Sequence, residues 1–93
     1  MFVGVLQAEI SIPGSFSLKE KRSVVKGLLE RLRREHGVSA AEVGDLDVWN
    51  RAVVGVAFVS NDARHAQAHL QQVVNRLGRE RDAVLEDSQI EVI

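Results

Sequence analysis

The chain has 93 residues, no cysteine and a formal net charge of −1, and these features exclude several classes of protein. This length fits one domain, residues 1–93, and without cysteine neither a disulfide nor a thiolate metal site can stabilise it. No run of about 18 apolar residues could span a membrane, and the first residues lack a signal peptide's basic start, so we expect a cytoplasmic protein that self-association would help to stabilise.

Four segments predict β-strands, because they alternate or are rich in β-branched residues. In the first strand the apolar side chains fall mainly on one side, and Pro13-Gly14-Ser15 ends it. The third strand is apolar enough for a central position in a sheet. The four predicted strands are residues 2–12, 38–44, 52–60 and 84–93, with a turn at 45–51.

Two segments between these strands have the period of amphipathic helices. The first begins at a capping box made by Ser17 and Glu20, continues to about residue 36 and stops at Gly37. The second begins at Asn61 or Asp62. The two apolar faces consist of Leu18, Val25, Leu28, Leu29 and Leu32, and of Ala63, Ala66, Leu70, Val73, Val74 and Leu77.

The resulting element order is βαββαβ, in which the two halves share a strand–helix–strand plan. Because both helical crossovers are right-handed, both helices pack on the same face of a four-stranded antiparallel sheet. The sequence therefore predicts an α+β domain with the ferredoxin-like fold.

The other face of the sheet is expected to be largely apolar in its two central strands. The bulkier residues should face the helices: Phe2, Leu6, Ile10, Val54, Val56 and Phe58. At about 25 cal/mol per Å², an exposed patch of this size forfeits several kcal/mol. We therefore predict a homodimer through the sheet face; the alternative is a monomer whose loops cover that face. The predicted interface residues are Val3, Val5, Trp49, Arg51, Val53, Ala57 and Val59, with Gly55 between them.

The start of the first helix is unusually basic. Residues 17–36 contain seven Lys or Arg and three Glu, and cations near a helix N-terminus cost about 0.3–1 kcal/mol each. Free N–H groups, nearby hydroxyls and cations together suit a phosphate or an RNA backbone. The alternative is a solvated face whose cations pair with the chain's own acids or with a second subunit. The predicted binding residues are Ser15, Ser17, Lys19, Lys21, Arg22, Lys26 and Arg33.

Three other residues invite a functional interpretation. Trp49, the only tryptophan, lies in the turn beside Arg51, and is either an exposed stacking or interface anchor or a cap on the end of the core. His65 and His69 are four residues apart and share a helix face. We place both on the solvent side, where they lack a third ligand, and so predict no metal site.

No recognisable catalytic constellation is present, so we predict neither enzyme activity nor a cofactor. The glycines are scattered and form no phosphate-binding loop, and no carboxylates are forced together by their spacing. An RNA-recognition motif shares this fold but needs stacking aromatics on its open sheet face. Here Phe2 and Phe58 fall with the helix-facing set, so any RNA contact should come from the basic helix.

Several segments together resemble the YlxP-like family, the bacterial domain of unknown function 503. They are Ser17-Leu18-Lys19-Glu20-Lys21-Arg22, Val24-Val25, Ala41-Glu42-Val43-Gly44, Asp47-Val48-Trp49-Asn50-Arg51-Ala52 and Gly55-Val56-Ala57-Phe58-Val59-Ser60-Asn61-Asp62. The resemblance implies a ferredoxin-like fold, no established activity and no defined catalytic residues. Family genes often neighbour those for translation initiation factor 2, ribosome-binding factor A and a transcription elongation factor, which implies a role near RNA or the ribosome.

Overall fold

A computed structural model describes all 93 residues and confirms the predicted α+β, ferredoxin-like fold. The four strands and α1 lie within one residue of their predicted bounds, and α2 begins at the predicted cap Asp62. The elements in chain order are β1 Phe2–Ser11, α1 Leu18–His36, β2 Ser39–Gly44, β3 Arg51–Ser60, α2 Ala63–Leu77 and β4 Val84–Val92.

The sheet has the strand order β2-β3-β1-β4, and every neighbouring pair is antiparallel. The long strands β1 and β3 are therefore central, while β2 and β4 are the two edges. The pairing register shifts between Glu9 and Ile10 against β4, and again near the end of β2. Such shifts bend a strand and increase its twist.

The core lies between the sheet and the two helices. On the covered face Leu6 pairs with Val56 and Ala8 with Val54, and all four residues are buried. Helix α2 lies over β1 and β4, while α1 lies against β2. Gly4 is also on this face, where a Cβ atom would come 2.7 Å from Leu70 Cδ1, so a larger residue would displace the Leu70 side chain.

Both helices begin at the predicted caps. Ser17 Oγ accepts the N–H of Glu20 at 3.1 Å, and Asp62 accepts the N–H groups of Arg64 and His65. Helix α1 ends at Gly37, whose positive φ of 60° favours glycine. Neither helix combines the length and the apolar character needed to cross a bilayer.

Candidate nucleic-acid interface

Lys21 must be removed from the predicted binding set, because it is a buried structural residue. Its side chain is 0% exposed, and Nζ donates to Glu42 Oε2 at 2.7 Å and to the carbonyls of Asp45 and Leu46 at 2.9 and 3.2 Å. These bonds use all three donors of an ammonium group. Lys21 therefore ties α1 to β2 and to the following loop, and no donor remains for a ligand.

The sequence did contain a signal for this burial. Lys21 precedes Val25, Leu28 and Leu32 by four, seven and eleven residues, which places it in the apolar row of α1. We assigned Lys21 to the surface because its side chain is charged.

The two predicted serines are also engaged within the chain. Ser15 is buried and donates to the carbonyl of Trp49 at 2.7 Å, while the Ser17 hydroxyl caps α1. The Glu20 carboxylate accepts the N–H of Phe16 at 2.7 Å and adds a negative charge at the helix start. The start of α1 is thus occupied by its own capping box. Ser15 and Ser17 must likewise be removed from the predicted binding set.

The remaining predicted cations form one exposed row, which we call the basic flank: Lys19, Arg22, Lys26 and Arg33. At 1.5 Å per residue the row extends about 21 Å along α1. Its only carboxylate contact is a loose one, 4.0 Å between Arg22 and the exposed Asp47. Arg33 donates to the carbonyl of Ala40 in β2 at 2.6 Å, so the basic flank lies along the β2 edge of the molecule.

On the opposite flank of α1, by contrast, the cation is paired with acidic residues of the same chain. Arg31 pairs with Glu80 at 2.9 Å, and Arg76 bridges Glu35 and Glu80 at 3.0 and 2.9 Å. The hydrogen bond from Arg76 lowers the pKa of the Glu35 carboxyl below its usual value. The alternative prediction, that the chain's own acids pair with the cations of α1, therefore describes this flank and Lys21, but not Lys19 or Lys26.

Two exposed aromatic residues lie at the N-terminal end of the basic flank. The rings of Phe16 and Trp49 are stacked, with centroids 6.2 Å apart and planes 22° apart, and they are 77% and 46% exposed. The hydrogen bond from Ser15 to the Trp49 carbonyl fixes one loop to the other. Sequence reasoning singled out Trp49 but missed Phe16, because the two are 33 residues apart and nothing local pairs them.

The open sheet face, formed by the side chains that point away from the helices, has two chemically distinct parts. The predicted interface residues of β1 and β3 lie on its apolar part, where Val59 is 61% exposed and Val43 of β2 is 55% exposed. Toward β4 the face becomes acidic, because Glu9 pairs with Asp87 and Val5 with Glu91. Val3, Val5 and Val53 of the central strands are only partly exposed.

The prediction that His69 faces solvent is wrong. Its ring stacks on Phe58, with centroids 4.0 Å apart, and its Nε2 donates to the carbonyl of His36 at 2.7 Å. Burial, followed by the neighbouring His69, lowers the pKa of His36. His65 remains exposed, and no group of three potential metal ligands comes together.

A cavity of about 890 Å³ lies between the start of α1 and the loop that precedes β4. Its charged lining consists of two cations and two carboxylates: Lys19, Arg81, Glu20 and Asp82. Ser15 on its wall already has a partner. The cavity therefore has no net charge to select an anion.

Comparison with known proteins identifies relatives over most of the chain. A family model described as a protein of unknown function (DUF503) matches residues 3–90. The uncharacterized protein YlxP of Bacillus subtilis (strain 168) is 38% identical over 72 residues, which cover 77% of this chain and 78% of that protein.

Proposed function

The chain belongs to the DUF503 family of proteins of unknown function, and from that premise we propose that it is a non-catalytic accessory protein that contacts RNA or the ribosome through the basic flank. The observation that carries the proposal is the exposed row of four cations with one loose carboxylate contact among them. A partner that carries a regular series of negative charges would satisfy such a row, and a phosphate backbone is that kind of partner.

The expected salt dependence follows from the number of cations. If all four contact phosphates of a single strand, log K falls with log[salt] at a slope of about −2.8, since each contact contributes about −0.7. Raising the salt from about 50 to about 200 mM should then weaken binding about 50-fold. Non-electrostatic binding would give a slope near zero.

The test is a titration of fluorescently labelled ribosomal RNA fragments, and of intact ribosomes, with the full chain at several salt concentrations. The Lys19→Ala/Arg22→Ala/Lys26→Ala variant should lose affinity, and its salt slope should fall by about 2 in magnitude. A control variant, Arg64→Ala/Arg79→Ala/Arg81→Ala, removes the same charge from exposed positions off the basic flank. Undetectable binding of the native chain at low salt, or an equal loss in the control, would contradict the proposal.

A second candidate function, a protein-interaction module that pairs through the open sheet face, is favoured by the exposed apolar side chains on that face. We propose a second copy of this chain as the occupant. From strand and residue spacings the whole face, its acidic part included, covers about 550 Å² in each copy, so full pairing of two copies would bury about 1,100 Å². This area reaches the lower limit for a specific interface.

Sedimentation velocity tests this pairing. We expect dimers at about 100 μM, and we expect Val5→Asp or Val53→Asp to dissociate them because each places a charge in the apolar part. Gln67→Asp, which places the same charge on the exposed side of α2, is the matched control. Only monomer in the native chain would remove this candidate and leave the RNA proposal untouched.

A further inference from the structure

We infer that the stacked pair of Phe16 and Trp49 is a platform on which unpaired bases of single-stranded RNA stack, while the basic flank holds their phosphates. This inference rests on the proposed function and names its substrate class. It starts from the large exposure of both rings, 77% and 46%, in a chain that contains only four aromatic Phe and Trp residues. An exposed, near-parallel ring pair leaves a π-face available to a ligand.

The position of the aromatic platform connects it to the basic flank. Phe16 precedes Lys19 by three residues at the start of α1, and Trp49 follows Asp47, whose carboxylate lies 4.0 Å from Arg22. A chain of nucleotides that stacks on the rings can therefore continue along α1. Cations beside exposed aromatics are the usual combination in single-strand binding sites, where rings take the bases and cations take the phosphates.

The loops hold the platform in place before any ligand arrives. Buried Ser15 donates to the Trp49 carbonyl at 2.7 Å, and the N–H of Ile12 donates to the carbonyl of Asn50 at 2.8 Å. Glu20 fixes the backbone N–H of Phe16. A ligand that stacks here meets rings whose backbone is already ordered, so less conformational entropy is lost on binding.

The chemistry favours a single strand over two other occupants. A duplex hides its base faces, so it can use the cations but not the rings. A protein partner could also use Trp49 as an anchor, but an apolar anchor makes no use of the unpaired cations Lys19 and Lys26 nearby. The open sheet face offers no alternative platform, because Phe58 lies on the covered face, against His69 of α2.

The only tryptophan of the chain makes the test direct. A single-stranded oligoribonucleotide should quench the fluorescence of Trp49, and a duplex of the same sequence should bind with little quenching. Phe16→Leu and Trp49→Leu remove the π-faces but keep apolar bulk. Each should weaken single-strand binding about 5- to 150-fold and leave duplex affinity and the salt slope unchanged. Asp47→Asn should strengthen binding of both RNAs, because it removes the carboxylate beside Arg22.

The outcomes separate the two proposals. If the variant without Lys19, Arg22 and Lys26 loses RNA but both leucine variants keep full single-strand affinity, the platform is refuted and the proposed function stands. If the native chain binds no RNA, both proposals fail. Phe16 is mostly exposed, so Phe16→Leu should fold normally, and circular dichroism of each variant checks this.

Discussion

The buried ion pair between Lys21 and Glu42 gives the sharpest prediction about stability. Lys21→Ala removes the ammonium but leaves the Glu42 carboxylate without its partner at 15% exposure, and it leaves the carbonyls of Asp45 and Leu46 without a donor. Removing one member of a buried pair costs about 3–5 kcal/mol. Because Glu42 retains some contact with water, we expect about 3 kcal/mol.

This cost is large for so small a domain. At about 0.05–0.15 kcal/mol per residue the whole chain has a free energy of unfolding of about 5–14 kcal/mol. A loss of about 3 kcal/mol should lower the melting temperature by about 12–24 °C. Urea unfolding followed by circular dichroism measures the loss in free energy of unfolding, and thermal unfolding followed in the same way measures the fall in melting temperature.

A paired variant tests the reason for the loss. Lys21→Met alone leaves the Glu42 carboxylate without its partner, whereas Lys21→Met/Glu42→Leu replaces both charged side chains by apolar ones of similar size. The double variant should be more stable than the single one, because no unpaired charge remains. If Lys21→Ala costs less than about 1 kcal/mol, or if the double variant is the less stable, the assigned role of this pair is wrong.

Two further predictions concern the core and the response to acid. Gly4→Ala should destabilise the fold by about 1–3 kcal/mol because its methyl group would meet Leu70, whereas Gly14→Ala, which has open space around it, should be near neutral in the same urea titration. Burial, with a smaller contribution from His69, lowers the pKa of His36 in the folded state, so the unfolded chain binds more protons as the pH falls through about 6.5. Stability should therefore decline between that pH and the lower folded pKa, and His36→Gln should flatten the decline; an unchanged pH profile in that variant would contradict the assignment.

The boundaries of helices and strands could be predicted because their signals are local. The capping box of Ser17 and Glu20, the stop at Gly37 and the alternation of the strands each depend on neighbours within a few residues. These signals agree with one another along the whole chain. The order of the elements then left few possible topologies.

The composition of the site could not be predicted to the same degree, because its contacts join distant residues. Lys21 meets Glu42 across 21 positions, and Phe16 meets Trp49 across 33. His69 is covered because Phe58, at the end of β3, lies against its ring. In each case a side chain that resembles a surface residue finds a partner supplied by another element.

The hydrogen bond from Arg33 to Ala40 has a consequence for aggregation. Strand β2 is an edge strand of the sheet, and an edge strand can pair with strands of other molecules unless a charge or another element blocks it. The guanidinium donates to the Ala40 carbonyl of this edge and so places a charge beside it. We therefore expect Arg33→Ala to leave this edge more open to strand addition and so to increase aggregation.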